Sequence, residues 1–146
     1  MAWKTKTAAL MLALVLLSGC WHKWYFQILG IFDGRPQFCM TRQPNCTGEG
    51  LSFSSFEIEE VPSPGEQSRT VWAITKAGDQ PLRTFAYGIP PPGWKQKVAP
   101  EPLVPGKIYS VGSYWFRLIG MVGGKLKYEV APAGKLLISP AAPAHS

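Results

Sequence analysis

Two histidines and three cysteines are the residues best suited to nucleophilic or metal chemistry, and their positions restrict what they can do. His22 lies two positions after Cys20, and His145 is the penultimate residue. A catalytic triad needs a histidine held between a nucleophile and an orienting acid. Neither histidine is predicted to lie in a pocket that provides this, so we expect no histidine-based catalysis.

Cys39 and Cys46 are seven positions apart, and the loop between them ends in a proline and an asparagine. These residue types favour a turn. In an exported chain, which the N-terminal segment described below predicts, such a pair of cysteines is typical of a disulfide. We therefore predict a Cys39–Cys46 disulfide, whose short loop contributes about 2 kcal/mol. A metal site is the alternative, but the nearest histidine is His22 and no third ligand is evident. No metal or other cofactor is expected.

Glu57, Glu59 and Glu60 form a cluster of acids, and a pair of carboxylates can hydrolyse a glycosidic bond. Strand alternation places Glu57 and Glu59 together, on the face opposite Phe56 and Ile58. A solvated outer surface is the favoured explanation of this face and requires no chemistry. The sequence therefore predicts a protein that is not an enzyme.

The first 19 residues have the three parts of a secretory signal. Lys4 and Lys6 form a basic start, residues 8–17 are purely apolar, and small residues precede Cys20. An apolar stretch of this length is well short of the roughly 20 residues that a membrane-spanning helix needs. We predict that residues 1–19 are a signal peptide.

The Leu-Ser-Gly-Cys20 ending of this segment resembles the lipobox of bacterial lipoproteins. The resemblance implies cleavage before Cys20 and acylation of that residue, and several acyl chains give stable membrane anchoring. Trp21, rather than an aspartate, follows the cysteine, which favours the periplasmic face of the outer membrane. An ordinary cleaved signal or a short uncleaved anchor is the alternative. The predicted division is a signal peptide (1–19), a lipidated anchor segment (20–24), a domain (25–138) and a disordered tail (139–146).

The basic residues are scattered along the chain. Cleavage after residue 19 removes Lys4 and Lys6, which leaves 13 basic residues against 9 acidic ones and a net charge of +4. A nucleic-acid-binding protein carries its basic residues on one face or stripe. No run of this kind is present, so nucleic acid is not a predicted partner.

Apolar residues recur with a period of two, and turn residues interrupt them every eight to twelve positions or so, which is typical of an all-β sandwich or barrel. We predict a single antiparallel β-sandwich, immunoglobulin-like, with about seven to eight strands. The predicted strands cover 24–32, 37–42, 51–61, 70–75, 82–89, 107–111, 114–121 and 125–130, with a short edge strand at 134–138. The predicted core is Phe26, Ile28, Phe56, Ile58, Val71, Phe85, Tyr87, Phe116, Leu118, Tyr128 and Val130.

Three residues are candidates for binding a partner. Trp94 follows three prolines in a stretch expected at the surface, with Lys95 beside it, and tryptophan is a favoured interface anchor. Arg42 lies inside the loop that the disulfide would close. The alternative for Trp94 is that it folds back and covers the edge of the sandwich.

Several motifs together resemble a family of small lipoproteins. They are the lipobox, Phe38-Cys39-Met40 with a looped second cysteine, Leu51-Ser52-Phe53-Ser54-Ser55, Val71-Trp72-Ala73-Ile74, Phe85-Ala86-Tyr87-Gly88-Ile89-Pro90, Gly93-Trp94, Pro105-Gly106-Lys107-Ile108-Tyr109 and Tyr114-Trp115-Phe116. In these features the chain is similar to periplasmic lipoproteins described as type VI secretion immunity proteins.

The resemblance implies a function by binding. A neighbouring cell injects a toxin into the periplasm, and the anchored domain would bind that toxin and block its active site. The rival interpretation is a structural or adaptor lipoprotein of the cell envelope or of a secretion apparatus.

Overall fold

A computed structural model describes residues 23–138. The predicted signal peptide (1–19), the lipidation of Cys20 and the predicted tail (139–146) lie outside the described residues. Within residues 23–138, no helix has the length and apolar character needed to cross a membrane.

Nine strands are found in residues 23–138. They are β1 (Tyr25–Phe32), β2 (Arg35–Thr41), β3 (Ser55–Glu60), β4 (Arg69–Lys76), β5 (Thr84–Ala86), β6 (Trp94–Val98), β7 (Ile108–Val111), β8 (Tyr114–Val122) and β9 (Lys125–Pro132). One sheet has the order β1-β2-β5, and the other has the order β6-β4-β3-β7-β8-β9. All paired strands are antiparallel.

The two sheets meet in an aromatic core, and the prediction of an all-β antiparallel sandwich is confirmed. Phe38 of β2 contacts Phe116 of β8 across the interface, with ring centroids 5.6 Å apart. Phe85 of β5 packs edge-to-face on Phe56 of β3 at 5.0 Å. The strand orders differ from the four-plus-three arrangement of immunoglobulin domains, and there are nine strands where seven to eight were expected.

Strand β6 lies in a proline-containing stretch for which no strand was predicted. Its prolines precede the strand instead of interrupting it. The Trp94 amide donates to the Pro91 carbonyl oxygen at 3.0 Å, and Gly93 has a φ of 83°, which glycine adopts readily. This turn brings Trp94 opposite Lys76 at the edge of the larger sheet.

Three strand predictions were too long or wrong. The strands expected over 51–61 and 82–89 shorten to β3 and β5. Before these two strands, an isolated bridge joins Leu51 to Leu82. No strand forms over 134–138, because Gly134 has a φ of 83° and the Lys135 amide donates to the Pro132 carbonyl oxygen, which makes a turn.

Nine of the eleven predicted core residues are buried, and the two exceptions lie in β9. Tyr128 is 40% exposed, so its placement in the core was wrong, and Val130 packs on the core while only partly buried. Strand β9 is the edge strand of the larger sheet. Within that sheet β9 pairs with β8 alone.

The β1–β2 and β8–β9 hairpins have the same local structure at positions 90 residues apart. Residues 24–36 and 114–126 have the same burial class at every position. Each first strand is interrupted by a bulge, between Ile28 and Gly30 in β1 and between Leu118 and Gly120 in β8. The two bulge glycines have φ angles of 128° and 144°, which side chains rarely tolerate.

The turns of the two hairpins also match. Asp33 and Gly34 have φ angles of 52° and 73°, and Gly123 and Gly124 have angles of 60° and 77°. Two successive left-handed residues make the tight turn that suits the twist of paired strands. The sandwich therefore contains the same hairpin twice.

Candidate functional site

The predicted disulfide is present and closes a fixed loop. The Cα atoms of Cys39 and Cys46 are 5.8 Å apart. Asn45 and Cys46 adopt left-handed φ angles of 62° and 55°, so the chain turns sharply before the second cysteine. Arg83 donates from Nη2 to the Cys46 carbonyl oxygen at 3.0 Å, which ties the loop to the segment before β5. Arg42 lies in this loop and is exposed.

Trp94 is buried, so the prediction of an exposed tryptophan anchor is wrong. Its side chain is 6% exposed and belongs to the core cluster. The alternative, a tryptophan that covers the edge of the sandwich, fits this position, because β6 is the edge strand. Lys95 follows it and is exposed, but it lies in the larger sheet, whereas Arg42 follows β2 of the smaller one.

A different set of residues presents apolar side chains to solvent. The ends of the two equivalent hairpins carry large exposed apolar side chains, which we call the hairpin-tip surface: Leu29, Ile31, Phe32, Ile119, Met121 and Val122. After each bulge the alternation is lost, so two consecutive apolar residues face solvent. Soluble proteins rarely expose large continuous apolar patches, and such patches mark interaction sites.

The hairpin-tip surface continues into a groove of about 580 Å³. The two hairpins supply Ile31 and Met121, and the opposite wall contains Pro100, Pro102 and Leu103. Arg35 at the groove donates from Nη1 to the Tyr87 carbonyl oxygen at 3.2 Å. Tyr87 also lines the groove, and burial raises the pKa of its phenol well above the ordinary value.

Three basic residues surround the hairpin tips. Arg35, Lys125 and Lys127 are exposed and lie just after the two turns, whereas Asp33 is the acid within the first turn. The tips therefore combine apolar side chains with a basic rim.

A second cleft, of about 600 Å³, lies at the opposite end of β1. Its apolar wall is formed by Trp24, Phe53, Phe56 and Met40, and its rim includes Glu57 and Glu59 of β3 together with the turn between β7 and β8. We call it the β3-edge cleft.

Two of the three clustered acids, Glu57 and Glu60, form ion pairs in different environments. Glu57 pairs with Lys97 at 3.7 Å on the outer surface. Glu60 pairs with Lys107 Nζ at 2.8 Å and accepts a hydrogen bond from Arg69 Nη2 at 2.9 Å. The hydrogen bond from Lys107, followed by that from Arg69, lowers the pKa of Glu60 below its ordinary value. These contacts make Glu60 part of an ion-pair network.

The described residues offer no arrangement for metal chemistry. Within residues 23–138, no group of three or more His, Cys, Asp or Glu side chains is placed to hold a metal ion.

Comparison with protein-family models, with curated proteins and with solved structures found no match.

The hairpin-tip surface was not among the predicted binding residues, although the sequence contains a signal for it. Residues 25–35 and 115–125 align without gaps, with Phe, Gly and Gly identical at Phe26/Phe116, Gly30/Gly120 and Gly34/Gly124. A search for internal repeats would have found this match, and the glycine within each strand is a bulge signal. The β3-edge cleft depends on how little of β3 is paired with β7, which is a register between distant segments that no local pattern indicates.

Proposed function

We propose that this protein is a lipoprotein of the outer membrane, exposed to the periplasm, that binds and neutralises a toxin delivered by a type VI secretion system. The lipobox and the family resemblance suggest the compartment and the toxin. The single structural observation that supports a binding role is the hairpin-tip surface with its adjoining groove. A rim of polar groups around exposed apolar side chains is typical of protein interaction sites.

The position of this surface suits an anchored protein. A lipid on Cys20 would lie four positions before Trp24, next to the start of β1. The tip at Phe32 is seven residues further along the same strand, which corresponds to about 23 Å. Anchoring at one end of β1 therefore leaves the other end free to meet a partner.

The charges and the groove of the hairpin-tip surface indicate which features a partner would have. Arg35, Lys125 and Lys127 favour an acidic face on the toxin, and the groove between the hairpins and the proline wall accepts an apolar anchor side chain. Prolines lose little conformational entropy on binding, so a proline wall is already ordered for its partner.

Toxicity and its rescue test the proposal. The full-length protein is co-expressed with each product of the genes next to its own, directed to the periplasm, and growth is followed. A neighbouring product that is toxic alone, harmless with this protein, and co-purifies with it in a fixed ratio supports the proposal. Absence of any toxic neighbour, together with association with an envelope or secretion-apparatus component, favours the structural lipoprotein instead.

A further inference from the structure

Strand β3 extends beyond its neighbour on one side. β3 pairs with β4 along its whole length, from Ser55 to Glu60. Its pairing with β7 covers only Glu59 with Ser110 and Glu60 with Tyr109. β7 ends at Val111, where the chain turns into β8. The Ser55–Glu57 part of β3 therefore has a strand on one side and the β3-edge cleft on the other.

The backbone groups on the open side follow from the alternation of the strand. The Lys76 amide donates to the Ser54 carbonyl oxygen, and the Val61 amide donates to the Ile108 carbonyl oxygen. At this end of β3, the N–H and C=O groups of even-numbered residues therefore face β4, and those of odd-numbered residues face the β7 side. By this alternation, the N–H and C=O groups of Ser55 and Glu57 face the cleft.

The wall of the cleft is fixed and apolar. Trp24 packs against Gly112, where a Cβ atom would lie 2.8 Å from the indole ring. Its ring also meets Phe53 edge-to-face at 5.7 Å and Tyr114 at 5.0 Å. The Tyr114 hydroxyl donates to the Trp24 carbonyl oxygen at 2.6 Å, which holds this side of the cleft in place.

The rim of the cleft is acidic on a chain that is basic overall. Glu57 and Glu59 project from the outer face of β3 beside the open edge. The pairing of Glu57 with Lys97 is an exposed contact at 3.7 Å, and such pairs are weak. A cationic side chain of a partner can therefore take the place of Lys97 beside Glu57 at a small cost in free energy.

We propose that the β3-edge cleft binds an extended segment of a partner protein that adds as a strand beside Ser55–Glu57. Lysine or arginine side chains of that segment pair with Glu57 and Glu59, and one apolar side chain packs on Trp24 and Phe53. Strand addition obtains affinity from backbone hydrogen bonds and specificity from alternate side chains. The cleft lies at the other end of β1 from the hairpin tips, so this proposal goes beyond toxin binding and does not depend on it.

Synthetic peptides test this on the purified full-length protein. The probe is a capped hexapeptide of alternating lysine and valine, titrated while amide signals are followed by NMR. We expect saturable binding with a Kd below about 1 mM and slower hydrogen exchange at the Ser55 and Glu57 amides. The matched peptide of alternating glutamate and valine is expected not to bind.

Backbone methylation separates strand addition from simple charge attraction. Alternate amides of the lysine peptide face opposite sides, so methylating every second amide gives two frames. Methylation in the frame whose amides face β3 is expected to weaken binding at least about tenfold. Methylation in the frame whose amides face away from β3 is expected to change the affinity less than about twofold. Glu57→Gln/Glu59→Gln should weaken binding several-fold, whereas Glu66→Gln, an exposed loop control, should not.

Three outcomes would overturn the proposal. They are equal effects of the two methylation frames, peptide-induced changes centred on the hairpin tips, and no binding at all. If the peptide does not bind and Glu57→Gln/Glu59→Gln makes the protein self-associate, the two acids only protect an open strand edge.

Discussion

Phe32 of β1 and Val122 of β8 hold the same position in two hairpins, each as the last strand residue before the turn, with side chains 61% and 57% exposed. The equivalence follows from the bulges at Gly30 and Gly120, which end the inward-outward alternation before the tips. Ile31 and Met121 precede them and are exposed as well. An arrangement that occurs twice at one end of the sandwich favours a binding surface over a chance exposure of single residues.

The two hairpins also contain a matched pair for a stability test. Phe38 and Tyr128 are equivalent by position, but Phe38 is fully buried between β1, β5 and β8, whereas Tyr128 is half exposed. Phe38→Ala is expected to lower the free energy of unfolding by about 3–5 kcal/mol because it leaves a cavity. Tyr128→Ala is expected to cost less than about 1 kcal/mol. Chemical denaturation of both variants measures this, and similar losses would contradict the packing described for β9.

The disulfide is expected to stabilise the fold without being required for it. Cys39→Ala/Cys46→Ala should lower the free energy of unfolding by about 2 kcal/mol, because the open loop gives the unfolded chain more freedom. Wild-type protein treated with reductant serves as the control and should lose a similar amount. A free-thiol assay without reductant should find neither side chain reactive, and labelling of both would contradict the disulfide.

The Glu60 network makes stability fall in acid. Since the pKa of folded Glu60 is lowered from 4.5, its contribution is complete above about pH 4.5 and is lost as the pH falls through the folded value. Glu60→Gln should therefore be less stable than wild type at pH 7, by about 0.5 kcal/mol for such a partly exposed group. The difference should shrink as the pH is lowered below 4.5, and denaturation curves at pH 7 and in acid measure it. A difference that stays constant between them would contradict the role of the Glu60 charge.

Lipidation of Cys20 gives a direct prediction for mass analysis. The mature protein should begin at Cys20 and carry the added mass of the diacylglyceryl group and the amine-linked acyl chain. Cys20→Ala should leave the protein without acyl mass and outside the membrane fraction. Protein that retains residues 1–19 and carries no acyl mass would contradict the lipoprotein assignment.

The sandwich could be predicted from the sequence because its signals are local. Phe56 and Ile58 alternate with Ser55 and Glu57, and this pattern places a strand with one buried face. Asp33-Gly34 and Gly123-Gly124 mark the two hairpin turns directly. The Cys39–Cys46 pair likewise depends on only a short loop.

The burial of Trp94, the exposure of Tyr128 and the groove could not be predicted, because they depend on contacts distant in the sequence. Trp94 follows three prolines, so its stretch was expected to be loop, but pairing with β4 makes it a buried edge residue. Tyr128 continues an alternating pattern, but it lies on the edge strand of the larger sheet and is 40% exposed. The groove beside Ile31 needs the proline wall at 100–105, which is brought there only by the complete fold.

The central claim is that the hairpin tips bind and neutralise a toxin, and a protection assay tests it most directly. Phe32→Ser/Val122→Ser is compared with Ile89→Ser/Leu137→Ser, which removes two exposed apolar residues outside the tips. Both double variants should keep a free energy of unfolding within about 1 kcal/mol of wild type, because exposed side chains contribute little. Each full-length variant is co-expressed with the toxic product of a neighbouring gene in the periplasm, and surviving cells are counted. We predict that the wild type and the Ile89/Leu137 variant protect and that the Phe32/Val122 variant does not. Equal protection by both variants, or no protection by the wild type, would contradict the account.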